Sequence, residues 1–188
     1  MIKVMGFDPS LRNWGIAYGS YSIESGIAVD KLSIIQTESD KGKQTRQNSK
    51  DINTAMQLFE SAYEAAKGID AVFVEVPVGS QSSRAMASYG VCIGVLGALC
   101  SLKVPVYEVT PTEVKLSTVG TKTASKEEMI AWAYNKYPEI NWPKSYAGSL
   151  ITSKAEHMAD AVGAIYAGVH SKDFQRMAQF ILNNRKAI

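Results

Sequence analysis

A chain of 188 residues, 46% hydrophobic and 20% charged, is long enough for one domain with a core of its own and needs no disulfide or metal staple. Twenty basic residues against 18 acidic ones leave a net charge of +2. No overall field therefore marks a polyanionic partner, and any nucleic-acid contact must rest on where individual charges sit.

Cys92 and Cys100 stand eight residues apart in an apolar stretch, a spacing that suits neither a zinc site nor a disulfide framework. Both read as small core residues in a reducing, cytoplasmic setting. Asp8 cuts the first apolar run short, so a signal peptide is not expected, and Gly90 to Leu102 is too short for a membrane span.

Three strands are predicted first, Ile2–Phe7, Gly15–Tyr21 and Gly26–Gln36, joined by short Gly- and Ser-containing gaps as in an antiparallel meander. Between the first two lies Asp8-Pro9-Ser10, a turn signal. Residues 40–50 contain no apolar side chain and carry Lys41, Lys43, Arg46 and Lys50, a solvated approach to a helix and a candidate DNA contact. Ile52, Met56, Phe59, Tyr63 and Ala66 then recur at helical steps until Gly68.

Ala71 to Val76 is an apolar run interrupted by one acid, Glu75, as in a strand buried on both faces that ends near a carboxylate. Pro77 and Gly79 break it. Ser83 to Leu102 reads as a helix with Met86, Cys92, Ile93, Leu96 and Leu99 inside, and its Gly90, Gly94 and Gly97 permit another backbone to approach.

Lys103–Val109 is a fifth strand, Pro111 to about Gly120 a short helix, and Ser125-Lys-Glu-Glu opens another with capping-box spacing. A loop spans Asn141–Ser153, and helices follow at Lys154–Val169 and Phe174–Leu182. A meander feeding crossover units predicts an α/β fold, a mixed five-stranded sheet flanked by helices.

Asp8 and Glu75 would emerge on the same side if their strands are parallel neighbours. The late helix adds Glu156, His157 and Asp160 among apolar neighbours, with Glu156 and Asp160 one turn apart on a shared face. Acids on a packed face repel one another and lose hydration unless a positive group joins them. A pair of divalent cations about 4 Å apart is the simplest such group, and hard oxygen ligands select magnesium or manganese.

From Gly6-Phe7-Asp8-Pro9-Ser10 and Gly15, through Phe73-Val74-Glu75, to His157-Met158-Ala159-Asp160-Ala161, the chain resembles the RuvC-type Holliday junction resolvases of the ribonuclease H-like superfamily. Gly90-Val91, Val104 to Val109, Val114-Lys115, Val119-Gly120 and Ala124-Ser125-Lys126 fall between them in the family's order. The resemblance runs to about residue 169. It implies a single ribonuclease H-like nuclease domain over 1–188, with the C-terminal helix, 171–188, outside the matched part, and the divergence resembles a bacteriophage version.

By position, the resemblance makes Asp8, Glu75, His157 and Asp160 the metal-binding catalytic residues, with Glu156 a rival to His157 as ligand; relatives carry Asp or His at the latter position. Lys115 and Lys126 correspond to lysines that approach the DNA backbone, and Arg12 and Arg84 are secondary candidates for DNA contact. Relatives often place a base-stacking aromatic where Val78 stands, so strand-separating contacts and a strict cleavage sequence are not implied. The activity implied is metal-dependent symmetric nicking of four-way and other branched DNA, using two magnesium ions, by a homodimer joined through the glycine-rich helix.

A ribonuclease H-type hybrid nuclease and a non-cleaving branched-DNA-binding protein are the alternatives. An actin- or sugar-kinase-type ATPase needs two such domains, for which 188 residues leave no room, so no nucleotide cofactor is expected.

Overall fold

The computed structural model describes residues 1–38 and 44–185, so the basic residues Lys41 and Lys43 lie outside the described residues. Five strands, β1 (Ile2–Asp8), β2 (Asn13–Ser22), β3 (Gly26–Gln36), β4 (Ala71–Glu75) and β5 (Val106–Val109), form one sheet in the order β3-β2-β1-β4-β5. The β1–β2 and β2–β3 pairs are antiparallel, whereas β1–β4 and β4–β5 are parallel. This is the predicted mixed sheet.

Strand alternation sorts the core into two layers. Ile2, Val4, Ala71 and Phe73 face one way, into a core completed by α3 (Pro111–Thr118), α4 (Lys126–Lys136), α5 (Thr152–Gly168) and α6 (Lys172–Arg185). Met5, Phe7, Val72 and Val74 face the other way, toward α1 (Gln47–Ala66) and α2 (Ser83–Ser101). The same period carries Asp8 and Glu75 onto the first face, the one covered by α5.

The predicted α1 stripe is not the one that packs. Thr54, Leu58, Ala62 and Ala66 are buried, while Ile52 and Met56 are exposed and Phe59 stacks on Tyr63 at the flank. The sheet takes the stripe of smaller side chains, because these let the helix axis approach more closely. On α2 the buried residues are Cys92, Val95, Leu96 and Leu99, whereas Met86 and Ile93 are exposed. Cys100 is also exposed, which corrects its reading as a core residue. At 19 residues α2 is long and apolar enough to cross a membrane by length and composition alone, but Leu96 and Leu99 pack it onto the sheet core.

β5 begins three residues later than predicted, at Val106. Lys103 adopts a left-handed φ of 62° to turn out of α2, and Pro105 has no N–H to donate to a ladder. α3 and α4 each start with a full capping box, Thr110 with Glu113 and Ser125 with Glu128.

Candidate active site

Parallel pairing of β1 with β4 places Phe7 beside Val74, and the next residue along each strand is an acid. Asp8 and Glu75 therefore end adjacent strands on the same face of the sheet. Helix α5 crosses that face at very short range, and two glycines make the approach possible. A Cβ at Gly6 would lie 1.8 Å from the Ala161 carbonyl oxygen, and one at Gly15 would lie 2.0 Å from that of His157. Only hydrogen at these positions lets α5 settle with Glu156, His157 and Asp160 over the strand ends.

The result is a cleft of about 370 Å³ into which Asp8, Glu75, Glu156, His157, Asp160 and Lys126 converge. Its remaining walls include Pro9, Pro77, Val78, Gly79 and Pro111. Every residue that the sequence puts forward as a metal ligand lines this one space.

Two basic side chains line the cleft, and each is engaged by a carboxylate. His157 Nδ1 lies 2.6 Å from Asp8 Oδ2, and its Nε2 is 3.8 Å from Glu156 Oε1. Lys126 Nζ donates to both oxygens of Glu156, at 3.2 and 3.1 Å. Burial pulls the His157 imidazole down, but the hydrogen bond and charge of Asp8, with the charges of Glu156 and Asp160, raise it above the ordinary histidine value.

Glu75 and Asp160 form no hydrogen bond or ion pair among the described residues. Burial, then the charges of Asp160 and Asp8, push Glu75 up to about 9 against the opposing charge of Lys115. Burial, then the charge of Asp8, push Asp160 up to about 7. Two half-buried carboxylates without a cationic contact are costly as anions, and a bound cation would remove that cost. Three carboxylates and an imidazole make a donor set suited to a divalent cation such as magnesium or manganese.

Among the described residues no three His, Cys, Asp or Glu side chains already form a closed ion-binding group. The internal pairs explain this, since His157 is turned onto Asp8 and Lys126 lies on Glu156. The donors fit a cation in kind, and these contacts must rearrange to admit one.

Lys115 is half-buried on α3, and its charge reaches both Glu75 and Asp160. Arg12 is exposed on the turn after β1. Arg84 lies elsewhere, its guanidinium bidentate to Asp51 at 2.9 and 2.8 Å, where it ties α2 to α1. Val78 stands exposed on the cleft wall. Tyr89 was not singled out from the sequence, yet it is the one Phe, Tyr or Trp lining the cleft. The available signal was position: α2 starts soon after the Glu75 loop, so its first turns run back past the strand end.

No protein-family model matches the chain, and no curated protein sequence does. Solved structures do match. RuvC from T. thermophilus, in complex with Holliday junction substrate, superposes with a TM-score of 0.62 at 18% identity over 89% of this chain and 92% of its own. A second Thermus thermophilus RuvC structure gives 0.59 at 20% identity, covering 88% and 92%. The yeast mitochondrial Holliday junction resolvase Ydc2 gives 0.60 at 15% identity, covering 96% and 84%. The chain has the fold of these proteins, the ribonuclease H-like fold expected from the sequence.

Proposed function

We propose that this protein is a metal-dependent endonuclease that resolves four-way DNA junctions and related branches. The observation that carries the proposal is the convergence of Asp8 and Glu75, from neighbouring parallel strands, on His157 and Asp160 of α5, in a fold shared with junction resolvases. Fold alone does not assign an activity, so the proposal rests on these side chains.

Asp8, Glu75, Asp160 and His157 would hold two divalent cations, magnesium or manganese, which when bound supply Lewis acidity that lowers the pKa of the attacking water and offsets charge on the leaving oxygen. Lys126, with a side chain 71% exposed at the cleft, and Lys115 on α3, whose charge reaches Glu75 and Asp160, would offset the negative charge that gathers on the phosphate. Water attacks phosphorus in line, the bond from phosphorus to the 3′ oxygen breaks, and that oxygen takes up a proton. The products are a 5′-phosphate and a 3′-hydroxyl.

Symmetric nicking needs two such centres. The exposed apolar groove between α1 and α2 is the surface we propose for a second copy of this chain, which would present one centre to each of two opposed strands. Branched DNA, a homodimer and a cytoplasmic setting form one consistent reading.

Asp8→Asn tests it, because the amide oxygen of that variant can still accept the His157 hydrogen bond while the anion is lost. The variant should bind four-way junctions in calcium or EDTA, and should cleave them in magnesium at below about 1% of the wild-type rate. Cleavage at a near wild-type rate would reject the assignment. Preference for an RNA–DNA hybrid over a junction, measured on the same panel, would move the protein to the hybrid-nuclease class.

A further inference from the structure

Glu156 is a carboxylate of the cleft that the proposed four-residue set leaves out, and Lys126 covers it. Both oxygens of Glu156 accept from Lys126 Nζ, at 3.2 and 3.1 Å, and the Glu156 side chain is 23% exposed against 71% for Lys126. The carboxylate thus lies toward the cleft and the ammonium toward solvent. Glu156 Oε1 is also 3.8 Å from His157 Nε2, and this imidazole in turn contacts Asp8 at 2.6 Å. Lys126, Glu156, His157 and Asp8 therefore form one continuous run of contacts.

An ion pair with one partner so exposed is weak. It is easily exchanged for another anion. A DNA phosphate at the mouth of the cleft is such an anion, and Lys126 sits where it would meet one first. Once the ammonium turns to the phosphate, Glu156 keeps only His157 beside it, and its oxygens become free donors facing Asp8 and Asp160.

We propose that Lys126 masks Glu156 as a reserve ligand for the divalent cation and that the DNA phosphate unmasks it, so that substrate and metal bind cooperatively. The proposal rests on the metal-nuclease reading and adds to it an order of events. In the free protein, Lys126 holds cation affinity down and so limits metal loading away from DNA. On the junction, the same lysine leaves Glu156 and the site tightens around its metal. Linkage is reciprocal, so metal must strengthen junction binding by the same factor.

Calorimetric titration with calcium, which permits binding without turnover, measures this directly. Without DNA, Lys126→Met should bind calcium about fivefold more tightly than wild type, the lower end of usual coupling energies, while Lys126→Arg, which keeps the pair, should match wild type. In a Glu156→Gln background the Lys126→Met change should alter affinity by less than about twofold, since the effect runs through that carboxylate. Adding a four-way junction should tighten calcium binding to wild type and leave Lys126→Met nearly unchanged.

Equal tightening in the Glu156→Gln background would reduce the effect to the general field of a lost charge and overturn the proposal, as would unchanged affinity in Lys126→Met. Wild type binding calcium normally in those outcomes leaves the nuclease reading standing. Absence of calcium binding in all variants, with and without DNA, would end both.

Discussion

On the side of the sheet covered by α1 and α2, a groove of about 580 Å³ is lined by residues such as Ile52, Ala55, Met56, Phe59, Val91 and Val95. On the α5 side, a cleft of about 370 Å³ holds Asp8, Glu75, Glu156, His157, Asp160 and Lys126. The groove is larger and more apolar, but it contains no group that could move a proton or hold a metal beyond Asp51, which Arg84 already occupies. The cleft is smaller and concentrates the strongly raised carboxylates of the chain. Size and apolar lining set the groove apart as the surface proposed for a second copy, whereas convergence of perturbed acids sets the cleft apart as the place proposed for chemistry.

Backbone proximity separates the two regions further. Above Gly90, Gly94 and Gly97 of α2 there is open space, with no atom within 4 Å of an added Cβ. At Gly6 and Gly15 the space is already filled by α5. The α2 glycines face open space, while Gly6 and Gly15 of the sheet are packed against α5.

The largest expected effect comes from refilling the second kind. Gly15→Ala would drive a methyl group into the His157 carbonyl, which is backbone and cannot swing aside. A loss of about 3 kcal/mol is expected, with Tm lower by roughly 10 °C and cleavage largely abolished. Gly94→Ala, on open space in the middle of α2, should instead raise Tm by about 2–4 °C, because alanine is favoured over glycine inside a helix. Equal effects at the two positions in thermal melts would contradict the contrast.

Much of the site side was legible in the sequence, and the groove side was not. Strand alternation and the acid-ending runs located Asp8 and Glu75, and i, i+4 spacing put Glu156 and Asp160 on one helix face. These patterns are local and periodic. The packed stripe of α1 escaped because two apolar stripes compete on that helix, and the choice between Leu58 and Met56 depends on how close the sheet lets the axis come. Tyr89 escaped for a related reason, since only the three-dimensional return of α2 brings it to the cleft. The Lys126–Glu156 pair joins residues 30 apart in sequence, and no pattern in either segment announces it.

A smaller effect is expected at the groove. Met56 is exposed on α1 at the groove, with 55% of its surface accessible, so Met56→Glu should leave the monomer's stability within about 0.5 kcal/mol of wild type. If the groove joins two copies, the buried charge should weaken dimerisation by about tenfold or more, close to 1.4 kcal/mol. Sedimentation velocity across a concentration series reads the change. Junction cleavage should shift from paired to single nicks, because each centre remains intact. An unaltered dimer would remove this groove as the interface.

The smallest effect is a pH dependence that only the cleft should show. Glu75 in the folded, metal-free protein is raised from 4.5 to about 9. Between those values the folded chain retains a proton that the unfolded chain has released. Stability linked to this group is therefore fully present below the unfolded value and is lost as pH rises toward 9. Glu75→Gln removes the titration while keeping the shape, so the variant should be more stable than wild type at pH 8 and nearly equal to it at pH 5. Magnesium should raise the wild-type Tm at pH 8 and raise that of the variant less, since the ion stabilises only the state that binds it. Urea unfolding at the two pH values, with and without magnesium, measures all four terms. A wild-type stability that climbs from pH 5 to 8 without metal would mean that Glu75 is already charged and partnered in the free protein, and the cleft would lose its claim to be held open for a cation.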